Sequence, residues 1–405
     1  MKTLLLTKLY PPVRCGVGDY VAELARFLAG RGEAVCVITE PLKPGALRVA
    51  PKGVTVLETP LRGWRDLPRL LRVIRAERPD VVQLEYSNYA WSRWGCAFWW
   101  NALFVLLRLR GTFVRLALHE FPLHFRQHPL HFAIAAVQRV HFWMLCAAAS
   151  EVCANTRERV NTLARWLPWR PEALRYRPNS SCNPVFTFPA EWRRVLRESR
   201  GAGAGDLVLA VYGLYGAGKN TEAAIEAAVS LRDELPVHFW FLGDTSRANP
   251  RYLARLRELA APLGDRAWWS GNLSPEDVSR HLQAVDIFLL PQADGHLTRS
   301  GSFLAAVEHG LPVVAIRNAV NQAEFTHGKD VWLLDGSSAA DLAAAVRTLA
   351  ADTGLRAKLG ANAKQIYMEV FDWNQTQPAA QPGRERRTVS MPASEALPRA
   401  SGQQR

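Results

Sequence analysis

Residues 208–221 read VLAVYGLYGAGKNT: five apolar or aromatic residues run into glycines 213, 216 and 218, then Lys219, then a helix-length pattern. A short strand-forming run that breaks on glycine and resumes with helical spacing is strand, turn, helix. The alternation continues outward in both directions. Strands are predicted before it at 3–7, 34–39, 54–58, 81–85, 113–119 and 152–155, with helical stretches at 18–31, 67–75 and 130–149. After it they are predicted at 237–242, 267–270, 287–290, 312–316 and 331–334, separated by helical patterns. Alternating strands and helices imply α/β architecture with parallel sheets covered on both faces. Two such series imply two Rossmann-like domains, at 1–185 and 206–374. The strandless stretch 186–205, ending GAGAG, is read as the linker. Residues 375–405 are rich in Pro, Ala, Ser, Arg and Gln. They offer little to bury, so a disordered tail and loosely tethered domains are expected.

Composition narrows the class. The chain of 405 residues is 48% hydrophobic and 21% charged, with 27 Gly and 25 Pro, which excludes collagen-like, disordered and disulfide-dense proteins. Residues 94–107 form the longest charge-free apolar run, shorter than the roughly 20 residues needed to span a bilayer. The apolar stretch at 4–6 is too short for a leader and is interrupted by Lys8, so it reads as a first strand. The net charge of +13 lies wholly before residue 186, where 26 Lys and Arg face 13 Asp and Glu; the remainder is balanced. Such a surplus favours an anionic partner. No nucleic-acid-binding motif accompanies it, which leaves a membrane surface or a phosphorylated substrate. The six cysteines form no C-x-x-C pair and no zinc spacing, so buried thiols of a reduced, cytoplasmic protein are expected and no metal site is read.

Chemistry in open parallel sheets sits beyond the carboxyl ends of the strands. Three loops there carry it. In the first, YPPVRCGVGDY (10–20), Gly16 and Gly18 admit a ligand close to a helix N-terminus, though a plain tight turn explains them as well. In the second, Gly213 through Lys219 nearly matches G-x-x-x-x-G-K-[ST], but Asn220 stands where a magnesium-binding hydroxyl belongs. A nucleotide triphosphatase is therefore the weaker reading, and a phosphate site on Lys219 the stronger. In the third, PQADGHLTRSGS (291–302), Arg299 and the amides of Ser300, Gly301 and Ser302 suit a diphosphate at a helix start. Ser300 acting only as a helix cap is the alternative.

Taken together and in order, these segments resemble glycosyltransferase family 4, group 1 enzymes of GT-B fold. The matching pieces are P-P-x-x-C-G-V-G-D-Y, Leu118-His119-Glu120, Gly213 through Lys219, Phe241-Leu242-Gly243-Asp244, Glu308-His309-Gly310-Leu311-Pro312-Val313-Val314, Glu324 with Gly328, and Phe371-Asp372-Trp373. The resemblance implies two Rossmann-like domains facing a central cleft. The second would bind a nucleotide-diphosphate sugar as co-substrate, with no cofactor and no metal. The first would bind the acceptor, a glycan, a lipid-linked sugar or a small molecule. Transfer would proceed with retention, as in polysaccharide biosynthesis. It places His119, Lys219 and Arg299 at the reacting centre and Gly16, Gly18, Gly213, Ser300, Gly301, Ser302, Glu308 and Glu324 around the donor.

The sequence departs from the family at the Glu-x7-Glu motif, whose positions align with Leu297 and Ala305. A divergent transferase or a catalytically inactive GT-B scaffold are the two readings of that departure. His119 is either a donor contact or a satisfied structural histidine. Finally, Trp91, Trp94, Phe98, Trp99, Trp100 and Phe104 crowd ahead of Arg108, Arg110 and Arg115. That pattern suits a lipid headgroup interface and peripheral attachment at the inner face of a membrane; a core helix with snorkelling arginines fits it too.

Overall fold

The computed structural model describes residues 1–377 except 14, 49, 123, 124, 126–128, 247, 293–296 and 318–323. Seven strands build the first sheet: β1 (Lys2–Leu6), β2 (Ala34–Thr39), β3 (Val54–Glu58), β4 (Val81–Tyr86), β5 (Phe113–Leu118), β6 (Glu151–Ala154) and β7 (Leu174–Tyr176). Six build the second: β8 (Leu207–Tyr212), β9 (Val237–Leu242), β10 (Ala267–Trp269), β11 (Ile287–Leu290), β12 (Val313–Ile316) and β13 (Trp332–Leu334). Every pairing within both sheets is parallel. Strands such as LVLAVY and VHFWFL are buried along nearly their whole length, as a sheet covered on both faces requires.

The strand orders are β3-β2-β1-β4-β5-β6-β7 and β10-β9-β8-β11-β12-β13. Each reverses direction once, between β1 and β4 and between β8 and β11. A crevice opens outside the carboxyl ends at such a switch point. The loops that follow β1, β4, β8 and β11 therefore carry the site.

Three sequence readings bear on how the domains are joined and packed. Residues 186–205 are not a free linker. They contain the helix Trp192–Glu198, and buried Arg197 donates to Asp286 at 2.9 Å and to the Ala284 carbonyl. Phe186 N also donates to Ser279 Oγ, so this segment is packed onto the second domain.

The chain's return is the second correction. Of the tail expected to be disordered, Gln375–Gln377 is ordered; 378–405 lies outside the described residues. The helix Thr353–Ile366 runs through a π turn at Tyr367–Phe371 into the short helix Trp373–Thr376. Trp373 packs on Tyr20 and Phe27, with ring centroids 5.2 and 5.8 Å away, and donates Nε1–H to the Ser181 carbonyl. Thr376 pairs with Ser180 Oγ at 2.7 Å and accepts from Arg177, while Arg31 donates to Gln377 O. The domains are thus strapped together by a crossing much shorter than an apolar helix.

Third, of the two readings of the aromatic cluster, the core helix is the one observed. Trp91, Trp99, Trp100 and Phe104 are buried against the first sheet, around the helix Trp99–Arg108. Arg115 is largely buried too, paired with Glu151. Only Trp94 of the large aromatics there is well exposed.

Candidate functional site

On the second domain the cradle begins where β8 ends. Gly213 sits at φ +119°, and a Cβ there would lie 2.8 Å from Ser302 Oγ; a Cβ on Gly243 would lie 2.4 Å from the Gly213 carbonyl. These two positions require glycine, and their backbones pack directly against each other beside the crevice. Ala217–Lys219 form one 3₁₀ turn, and Asn220 follows in the left-handed region with its amide donated to Pro291 O and Ser337 O. That clamp turns the chain so that Lys219 Nζ reaches Gln292 Oε1 at 2.7 Å. Tyr212, Lys219, Thr221, Pro291, Gln292 and Ser302 line one cleft. The helix Gly301–Glu308 starts beside it. Ser300 is its N-cap, accepting from Phe303 N at 3.3 Å, so its hydroxyl is engaged in capping. The amides of Gly301 and Ser302 remain at the positive end of the helix dipole, near the Lys219 cation.

On the first domain, His119 follows β5, the strand next to β4 at the switch point. Its Nε2 lies 2.6 Å from Glu85 Oε2, its backbone N–H is donated to Tyr86 O, and Tyr20 meets its ring edge-on at 5.4 Å. The Glu85 side chain is completely buried and also accepts from Gln83. Gly18 packs against the preceding loop: a Cβ there would stand 2.5 Å from Leu9 O. Gly16 heads the helix Gly16–Gly30, with no atom within 4 Å of where its Cβ would be.

Arg159 lies beside His119 on the first domain. It donates to the His119 carbonyl at 3.0 Å and to Asn155 Oδ1 at 2.8 Å, and lies over the Phe121 ring. Burial, reinforced by the nearby charge of Arg299, pushes its guanidinium down to about 10. Arg299, in the 3₁₀ turn Leu297–Arg299, belongs to the other domain. Arg159 on the first domain and Arg299 on the second are close enough for their like charges to interact, which favours an anion beside them.

Glu324 and Glu308 are placed elsewhere; neither lines the cleft beside Lys219. Glu324 Oε1 accepts from Tyr176 OH at 3.0 Å and from Arg157 at 3.3 Å, a bridge between the domains. Glu308 turns toward Ser181 and Tyr367 at the chain crossing, and its Oε2 is buried with no partner among the described residues. Leu297 and Ala305 are both buried in the apolar core. Part of the third loop, 293–296, lies outside the described residues. Sequence reasoning missed Glu85, Arg159 and Gln292. Glu85 carried a legible signal, an acidic residue near the end of the apolar strand VVQLEY; Arg159 and Gln292 carried none.

Two family models match the chain in order. Residues 15–180 match the model described as glycosyl transferase 4-like domain, and 206–352 that described as glycosyl transferases group 1. The D-inositol 3-phosphate glycosyltransferase of Acidothermus cellulolyticus is 27% identical over 397 residues, covering 89% of this chain and 83% of that protein. The fold is shared with a glycosyltransferase from Rickettsia africae, at TM-score 0.69 and 13% identity over 93% of this chain and 95% of that one. It is shared equally with Anabaena HepE in complex with UDP and glucose, at TM-score 0.68 and 18% identity over 92% and 96%. Both halves match in sequence order and their parallel sheets carry the GT-B architecture; the chain belongs to the group 1 glycosyltransferases.

Proposed function

We propose that this glycosyltransferase moves a hexose from a nucleoside-diphosphate sugar, with retention and without a metal, to a glycan or lipid-linked hydroxyl at the inner face of a membrane. The observation that carries the reading is the opposed pair of half-sites. Lys219, Arg299 and the Gly301 and Ser302 amides lie on one domain and His119 and Arg159 on the other, and the charge of Arg299 reaches Arg159. The likeness to HepE, which binds UDP and glucose, supports the donor class. The relatives named for inositol 3-phosphate support an acceptor that brings an anionic group to the arginines.

In this reading the bond from the anomeric carbon to the leaving phosphate breaks while the acceptor oxygen bonds on the same face. The departing phosphate takes the acceptor's proton, so no protein nucleophile is needed. Lys219, Arg299 and the helix amides stabilise the charge that develops on the diphosphate, and this kind of preorganised contact contributes most where water is excluded. His119 orients the sugar near its reacting carbon.

The experiment is a melting shift with UDP, GDP and ADP, with and without EDTA, on wild type and Lys219→Ala, followed by the anomeric configuration of the product. A shift that survives EDTA and is lost in Lys219→Ala is expected, with turnover down about 100-fold or more. No shift with any nucleotide supports an inactive scaffold instead. A shift that needs magnesium supports a nucleotide triphosphatase.

A further inference from the structure

The helix Pro129–Ala148 is the one described helix both long and apolar enough to cross a membrane, yet it does not stand free. One face is pinned to the first domain. Buried His141 contacts Tyr86 OH at 2.8 Å, Gln138 donates to Trp94 O at 2.8 Å, and Phe142 and Leu145 enter the core. The opposite face is apolar and uncovered. Leu130, Val137, Val140 and Met144 recur at helical spacing, and Trp143 beside them packs edge-on against Trp169, which is 56% exposed. A row of large apolar side chains on a soluble domain marks a contact surface.

The charge around it identifies the partner. Neither this helix nor its packing neighbour Trp99–Arg108 contains an acidic residue, whereas the two helices and their flanks carry Arg93, Arg108, Arg110 and Arg139. At the rim, the Arg139 guanidinium lies 3.8 Å from the centre of exposed Phe125, and Arg93 lies over exposed Trp94. Apolar side chains flanked by arginine-capped aromatics suit the boundary between acyl chains and anionic headgroups. A second copy of the chain would set arginine against arginine, within a half that carries the whole surplus of +13.

We infer that the outer face of helix Pro129–Ala148, with Trp169, docks the first domain flat onto an anionic bilayer. The helix lies in the interface rather than across it, because its inner face is part of the domain core. The inference names the surface for the membrane placement proposed above and rests on that placement. Of the aromatic cluster at 91–107, which the sequence offered for this role, Trp91, Trp99, Trp100 and Phe104 are buried in the core and Trp94 is exposed at the rim.

The test is co-sedimentation of the full chain with phosphatidylcholine vesicles, with and without one-third phosphatidylglycerol, at low and high salt. Binding at least about tenfold stronger to the anionic vesicles is expected, weakening with salt. The double substitution Val140→Glu with Met144→Glu should abolish it while leaving the UDP melting shift intact. A second probe, Trp169→Ser, lies outside the helix and is expected to weaken binding several-fold. Equal binding to neutral vesicles, unchanged binding in both variants, or a wild-type dimer that the substitutions convert to monomer overturns the inference. Vesicle binding without a nucleotide shift would sink the transfer reaction alone, and the converse would sink the docking alone.

Discussion

Glu85 Oε2 stands 2.6 Å from His119 Nε2, at the ends of adjacent strands β4 and β5. The carboxylate accepts, so the proton of that contact is held on Nε2. Glu85 has no exposed side-chain surface, Tyr20 packs edge-on against the imidazole, and Arg159 fixes the His119 carbonyl. Orientation and tautomer of the ring are set from beneath the site.

Glu85 is therefore a positioning residue for His119. Glu85→Gln is expected to lower kcat about 100-fold, as small displacements of a reacting group do, with the nucleotide melting shift unchanged. The variant combined with His119→Ala should be no slower than His119→Ala alone. Additive losses would show that Glu85 acts through something other than the histidine.

Arg299→Gln tests the pair of neighbouring cations. Removing the charge that acts on partly buried Arg159 should reduce the UDP melting shift. A contact of this kind is worth about 1–3 kcal/mol to a bound anion, so affinity should drop roughly tenfold or more. A variant that loses stability and keeps its nucleotide affinity would place Arg299 in the fold and not in the site.

The sequence carried the two sheets well because period and punctuation encode them locally: all six strands of the second sheet and six of the seven in the first were read. β7, only Leu174–Tyr176, is too short to show a pattern. The loops were legible because switch points follow from strand order. What escaped were contacts between distant residues. Glu308 had the right helix but faces the crossing strand, and Glu324 had the right loop but is engaged by Tyr176 and Arg157. Lys219 was found from its glycines, whereas Gln292, its partner, has no local signature. The aromatics at 91–107 show the limit of composition: the same residues fit a membrane face and a core, and only packing decides.

The strap across the domains gives a third prediction. Trp373 is held between Tyr20 and Phe27 on the first domain and bonded to Ser181 O in the chain crossing. Trp373→Ala should cost about 2–4 kcal/mol, less than a fully buried tryptophan because the side chain is only partly covered. It should also weaken nucleotide-dependent protection of the first domain in amide exchange. A melting temperature within a degree or so of wild type would mean that the strap contributes little to the tether.

Glu308 supplies the pH dependence. Burial pushes its carboxyl from 4.5 up to about 7; hydrogen bonds with Ser181 and Tyr367 and the charge of Lys364 oppose that rise, and Asp372 adds to it. The folded chain therefore keeps a proton that the unfolded chain releases between about pH 4.5 and 7. With the native state binding more protons, stability falls as pH rises through that window and stays lower above it. Glu308→Gln keeps the shape and removes the titration. Its denaturation midpoint should match wild type near about pH 5 and exceed it near about pH 8, by on the order of 1–2 kcal/mol once solvent screening is allowed for. Because Ser181 and Tyr367 lie where the chain passes between domains, the same variant should reduce the pH sensitivity of interdomain amide exchange at the crossing. An unchanged pH profile of both stability and exchange would show that the carboxyl is already ionised in the folded protein.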